Sequence, residues 1–331
     1  MRYLCLLLLV FLPFGSVNAM DAPGMAVIPV ADPQGARDLS LTLWYPAHRG
    51  SPRAVTGNAV FLGPHAVPGA EPDPGPFPLV LLSHGGIRSS PDSGAWLGAM
   101  LAVAGHVVVE VNAPWPKSAR AGADEIWRRP EDMKRAMEAV LGDPRWAGRI
   151  DRARISAVGF ALGGTAALAL SGHRFDPDAV MRSCSDTSGP ECAWYAAGGV
   201  ALETLARAPL ARSYQFPGLF AAVAIAPEYS DVLSRYGATR AAPSLVIALG
   251  ETDEGRDASA RLAGNGGNVR LVTLAKADPF DAFPLCTPAG PEILLQEGGD
   301  PALCGRSAQV RRTVHAALVE RILSFLANPG K

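Results

Sequence analysis

Apolar and polar positions change period several times along the 331 residues, and each change marks a structural element. "MAVIPV" (25–30) and "LSLTLWYP" (39–46) alternate, which predicts antiparallel strands with one wet face. Residues 47–77 are rich in Pro and Gly, hold no sustained period, and read as loop. "PLVLLSH" (78–84) is then a continuous apolar run that stops at Gly85-Gly86; a helical pattern follows over 94–104, and after it comes a second buried-type run, "HVVVEVN". Pro130, followed by Glu131 and Asp132, predicts a helix start, because proline suits the first turn and acids suit the positive end of the dipole; that helix ends near Gly142. Further strands are expected at "RISAVG", "FAAVAIA" (220–226), "SLVIALG" (244–250) and "VRLVTLA" (269–275), with a last amphipathic helix over 307–327.

Apolar runs separated by helices predict an α/β fold with a mostly parallel sheet covered on both faces. The length and a hydrophobic share of 48% are enough for one large core, so 20–331 is expected to form a single domain. Between 173 and 217 the alternation breaks. That insert follows an elbow helix, so it is expected to lie over the carboxyl ends of the strands as a lid, or else as a stapled surface excursion.

Charge and composition narrow the partners. With 30 basic against 31 acidic residues, no positive surplus exists to neutralise phosphates, and nucleic acid is not expected. Residues 1–19 carry Arg2, an apolar core from Tyr3 to Phe14 and small residues ending at Ala19, the layout of a secretory leader, so the mature chain is expected to be periplasmic or secreted. That core is too short to span a membrane, and no other run is long enough, so an integral membrane protein is not expected.

Cys184, Cys192, Cys286 and Cys304 remain once Cys5 leaves with the leader, and an even number in an exported chain reads as two disulfides. Three pairings are open. Short closed loops favour Cys184 with Cys192 and Cys286 with Cys304. Neither paired-cysteine spacing nor nearby histidines support zinc, and no metal or other cofactor is expected.

The chemistry centres on "GFALGG" (159–164), set between an apolar strand and the helix-forming "TAALAL". Together with "LTLWYPA", "FPLVLLSHGG", the long block "RPEDMKRAMEAVLGDPRWAGRIDRARISAVGFALGG", "ALGETDE" and "LCTPAG", it resembles the α/β-hydrolase fold. Within that fold the likeness is to the exported dienelactone-hydrolase-like and platelet-activating-factor-acetylhydrolase-like proteins. The resemblance implies an elbow of the form G-x-S-x-G-G, whose serine stands on a strained turn. Gly159, Gly163 and Gly164 remain, but Ala161 occupies the nucleophile position, and a methyl group can neither attack a carbonyl nor give a proton to a base.

By the same resemblance the catalytic histidine should fall in "KADPFDAFPLC", where Asp278-Pro279 stand instead, so Pro279 marks the vacated position. No histidine lies between His173 and His315. His315 sits in the last helix and reads as a structural or surface residue; His84 precedes the loop that resembles the oxyanion segment and reads as its organiser. Asp253 matches the acid position, with Glu251, Glu254 and Asp257 as neighbouring loop acids. Backbone N–H groups of Leu162 and of Gly85, Gly86 or Ile87 would form the oxyanion hole, with Arg88 nearby.

Two functions compete. One is a non-catalytic protein that binds a small acyl- or ester-like ligand or another protein. The other is an ester or lactone hydrolase with an unfamiliar nucleophile or base, drawn from Thr165, Ser83, Ser156, Asp278 or Asp281.

Overall fold

The computed structural model describes residues 22–330, apart from 49, 87–88, 186–189, 235–240, 251–259, 261 and 263–267. Strands β1 (Gly24–Val30) and β2 (Leu39–Tyr45) form an antiparallel pair. The Pro/Gly-rich stretch expected to be loop holds two short strands, β3 (Arg53–Ala54) and β4 (His65–Pro68), and β4 pairs with the edge of β1. Pairing with that edge satisfies backbone groups that no side-chain period advertises.

The chain continues through β5 (Phe77–Ser83), α1 (Ala95–Val103), β6 (Val107–Asn112), α2 (Ala119–Ala123), α3 (Glu125–Gly142), α4 (Pro144–Ala147), β7 (Ile150–Phe160) and α5 (Leu162–Ser171). Next come β8 (Arg174–Phe175), α6 (Pro177–Arg182), α7 (Pro190–Ala197), α8 (Arg207–Ala211), β9 (Ala221–Ile225), β10 (Leu233–Ser234), β11 (Ser244–Leu249) and β12 (Val269–Leu274), with a C-terminal helix at Ala308–Ala327. One sheet orders its strands β12-β11-β9-β7-β5-β6-β2-β1-β4-β3. From β12 to β6 neighbouring strands are parallel.

Period-two alternation splits the core into two layers. Val80 and Leu82 of β5 pack with α1 and the C-terminal helix, whereas Leu79 and Leu81 pack with α3 and α5 on the other face. Strand β5 is therefore the point where the chain order reverses: it passes to β6 on one side and returns as β7 on the other. The carboxyl ends of β5 and β7 diverge there, and crevices at such switch points receive ligands in open α/β sheets.

Helix α3 corrects the expected start at Pro130. It begins at Glu125 and carries Pro130 inside. Tertiary contacts override the local signal. Arg37, from the β1–β2 connection, binds both oxygens of Glu125 at 2.7 and 2.8 Å and Asp132 at 2.7 Å, and all three groups are buried. Buried charges demand such pairing, and Glu125 can reach Arg37 only if the helix extends ahead of the proline.

Candidate functional site

Strand β7 ends at Phe160 and α5 starts at Leu162, so one residue makes the turn. That residue is Ala161, with φ 53° and ψ −124°, a conformation L-residues rarely occupy. Its N–H donates to the Ile225 carbonyl at 3.0 Å, and its carbonyl accepts from Gly164 N–H at 2.9 Å and Thr165 N–H at 3.2 Å. The glycines make this crossing sterically feasible. A Cβ on Gly159 would overlap the Gly163 carbonyl, and one on Gly163 would overlap the Ser83 carbonyl. Gly164 has the Gly159 carbonyl and Ala224 as near neighbours.

The β5 loop is bonded to this turn. Gly85 N–H donates to the Phe160 carbonyl at 3.1 Å, and Gly163 N–H donates to the Gly85 carbonyl at 3.4 Å. Leu162 opens α5, so its N–H has no acceptor within the helix. Arg129 of α3 donates from Nη2 to the Gly86 carbonyl at 3.2 Å while its Nε binds Glu125 at 2.9 Å, which ties the loop to the buried ionic cluster. A Cβ on Gly86 would come 2.7 Å from Oε1 of Glu228, so a carboxylate packs against this loop. Ile87, Arg88 and Asp253, with Glu251, Glu254 and Asp257, lie outside the described residues.

The stretch around Pro279 is a capped turn. Asp278 caps a 3-10 helix (Pro279–Ala282), accepting from Phe280 N–H at 2.8 Å, and Asp281 returns the bond to Asp278 N–H at 2.9 Å. Asp281 is fully buried, with Arg306 Nε at 3.2 Å and Arg311 Nε at 3.9 Å. Three ring N–H groups hold the same turn. His84 Nε2 and Trp96 Nε1 both donate to the Ala282 carbonyl at 2.9 Å, and His315 Nε2 donates to the Phe283 carbonyl at 3.0 Å. Burial drives both imidazoles down to about 4, partly offset by those carbonyl bonds, so each ring is neutral at pH 7. His315 also stacks on Trp96, with ring centroids 3.6 Å apart.

None of the alternative nucleophiles stands exposed at the turn. Thr165 points its hydroxyl at the carbonyls of Ala161 (3.4 Å) and Glu228, and Ser83 and Ser156 are buried. Asp278 and Asp281 are engaged as described. Segment 173–217 includes α6, α7 and α8; Tyr195 of α7 places its hydroxyl 3.2 Å from that of Tyr229, next to Glu228. Cys184 pairs with Cys192 and Cys286 with Cys304, the two short-loop pairings. Disulfides of this kind persist in oxidising compartments. Among the described residues no cluster of three His, Cys, Asp or Glu could hold a metal ion, and no helix is long and apolar enough to cross a membrane.

A solved structure, a ferulic acid esterase from Streptomyces cinnamoneus, matches 93% of this chain and 92% of its own at a TM-score of 0.58 and 20% sequence identity. The fold is that of the α/β-hydrolases. No protein-family model matches the chain, and no curated protein matches it by sequence. The hydrolase-fold relationship therefore rests on architecture. Glu228 and Arg129 were not foreseen from the sequence: each touches Gly86 from a remote part of the chain, and no motif marks either.

Proposed function

We propose that this chain is an exported protein of the α/β-hydrolase fold, similar to the dienelactone-hydrolase-like proteins, that binds a small acyl- or ester-like ligand, or a partner protein, without a working Ser-His-Asp triad. The observation that carries the reading is Ala161: the strained turn between β7 and α5 is built, and the side chain it raises is a methyl. In this reading Pro279 stands at the histidine position and Asp253 at the acid position. The backbone N–H groups of Leu162 and of Gly86 or Ile87 receive the ligand's oxygen; that of Gly85 is taken by the Phe160 carbonyl. Residues 1–19 are the cleaved leader, 20–331 the single domain, and 173–217 its lid.

Loss of the triad leaves at most about 10³ to 10⁴ over the water rate, from the oxyanion hole and binding alone. The neutral, carbonyl-bonded state of His84 and His315 supports the reading, because both of these imidazoles already serve as clamps. A working esterase with another nucleophile is the rival, favoured by the likeness to an esterase structure. The engaged hydroxyl of Thr165 speaks against it.

The test is an assay of the exported chain with p-nitrophenyl butyrate and a lactone. Native protein and Ala161→Ser are expected to stay at the buffer rate, whereas Ala161→Ser with Pro279→His gains turnover of about tenfold or more, a minimal return on restoring a nucleophile and base. Pro279 is the position to change, since Asp278 caps the turn. Native turnover abolished by Thr165→Val or Glu228→Gln would overturn the proposal.

A further inference from the structure

A second recess lies behind the turn at 278–283, on the α1 side of the sheet. It is a groove of about 600 Å³, within the range of roughly 300 to 1,000 Å³ common for small-molecule sites. It is lined by Leu62 and Leu285, by Trp96, Met100 and Val103 of α1, and by the exposed Arg312 of the C-terminal helix. The walls are fixed in advance: Leu62 N–H donates to the Leu285 carbonyl at 2.7 Å, and Thr287 N–H to the Val60 carbonyl at 2.8 Å. The disulfide of Cys286 staples the segment behind Leu285.

Three large apolar side chains stay partly open to solvent in this one groove, Leu62 at 45%, Met100 at 39% and Val103 at 38%. A contiguous apolar recess of that kind marks a binding surface more than a scatter of single exposed residues does. The lining includes no Asp or Glu, and Arg312 is its one permanently charged residue. Among the described residues the Arg312 side chain enters no ion pair or hydrogen bond. An apolar trough ending in an unpaired guanidinium is complementary to an amphiphile with an apolar tail and an anionic head, and guanidinium binds a carboxylate in a two-point fork.

We propose that this groove binds a medium-chain fatty carboxylate, with the tail along Met100 and Val103 and the carboxylate on Arg312. The site is separate from the Ala161 turn and does not depend on what happens there.

Isothermal titration of the exported chain with decanoate and with decyltrimethylammonium decides the matter. Decanoate is expected to bind with a dissociation constant below about 1 mM, and the cationic amphiphile at least about tenfold more weakly, the scale of one lost ion pair in a partly apolar setting. Val103→Trp fills the groove at a solvent-exposed position that does not endanger folding, and should abolish decanoate binding. Arg312→Glu should reverse the preference between the two amphiphiles. Equal affinity for both, or decanoate binding unaffected by Val103→Trp, overturns the proposal.

Discussion

The β7–α5 turn and the 278–283 turn lie against each other across Phe160, Phe283 and His84, yet they have fared differently. At the first, the whole steric apparatus of a nucleophile-bearing elbow stands, from the positive φ of Ala161 to the glycines that cannot accept a Cβ. The second is a capped turn with a buried aspartate, two arginines and three ring N–H clamps. The side chain that the first turn raises is a methyl. The second has a structural occupation, in which Asp278, Asp281 and the ring N–H groups are all engaged.

The largest effect should come from the second turn. Asp281→Asn removes the anion facing Arg306 and Arg311, and burial already lowers the pKa of the Arg311 guanidinium. Stability is expected to drop by about 3 to 5 kcal/mol, as when one partner of a buried pair is lost. A shift of less than about 1 kcal/mol in the urea midpoint would show that the turn is not built on that charge.

Next in size is the pH profile. His84 and His315 titrate near 4 when folded and 6.5 when unfolded. The unfolded chain therefore binds more protons in that window, and stability is lost as pH falls through it, by on the order of 3 kcal/mol for each ring. Glu110, buried and raised to about 8 from 4.5 by desolvation, acts with the opposite sign: the folded chain holds the extra proton, and stability is lost as pH rises towards 8. For His84, His315 and Glu110 together the maximum falls near pH 6.5, and His106, also lowered by burial, adds to the acidic limb. Glu110→Gln should flatten the alkaline limb alone, and denaturant midpoints across a pH series read both limbs. An acid limb unchanged in His315→Gln would detach that ring from the 278–283 turn.

The smallest effect belongs to the elbow. Ala161→Gly relieves about 1 to 3 kcal/mol of backbone strain but loosens the unfolded chain and deletes a packed methyl. The net change expected is a gain of about 0.5 kcal/mol. A loss above about 1 kcal/mol would mean that methyl packing, and not a strained turn, governs the position.

Much of this contrast could be read from residues alone. The spacing of Gly159, Gly163 and Gly164 around Ala161 announced a tight strand-to-helix crossing, and the Gly159–Gly163 approach is local, but the close approaches of Gly163 to the Ser83 carbonyl and of Gly164 to Ala224 involve other strands of the sheet. Under the proposed reading Asp278-Pro279 stand where the resemblance expects a histidine, but nothing in the sequence announced what Asp281 does, since its partners lie 25 and 30 residues further on, at Arg306 and Arg311. Pro130 misplaced the start of α3 for the same reason: Arg37 comes from the β1–β2 connection, 88 residues before Glu125. His315 looked like a structural residue from its place in a helix, while its bond to the Phe283 carbonyl needed coordinates.

The sequence alone determined the alternation of apolar strands and amphipathic helices and the glycine pattern of the elbow around Ala161, and it favoured the two short disulfide loops among three open pairings, because these signals are carried by nearby residues. Tertiary structure decided which remote charges became buried partners, which imidazoles turned into clamps and where a second apolar recess opened. Those outcomes depend on which distant segments the packed sheet brings into contact, and local periodicity carries no record of that.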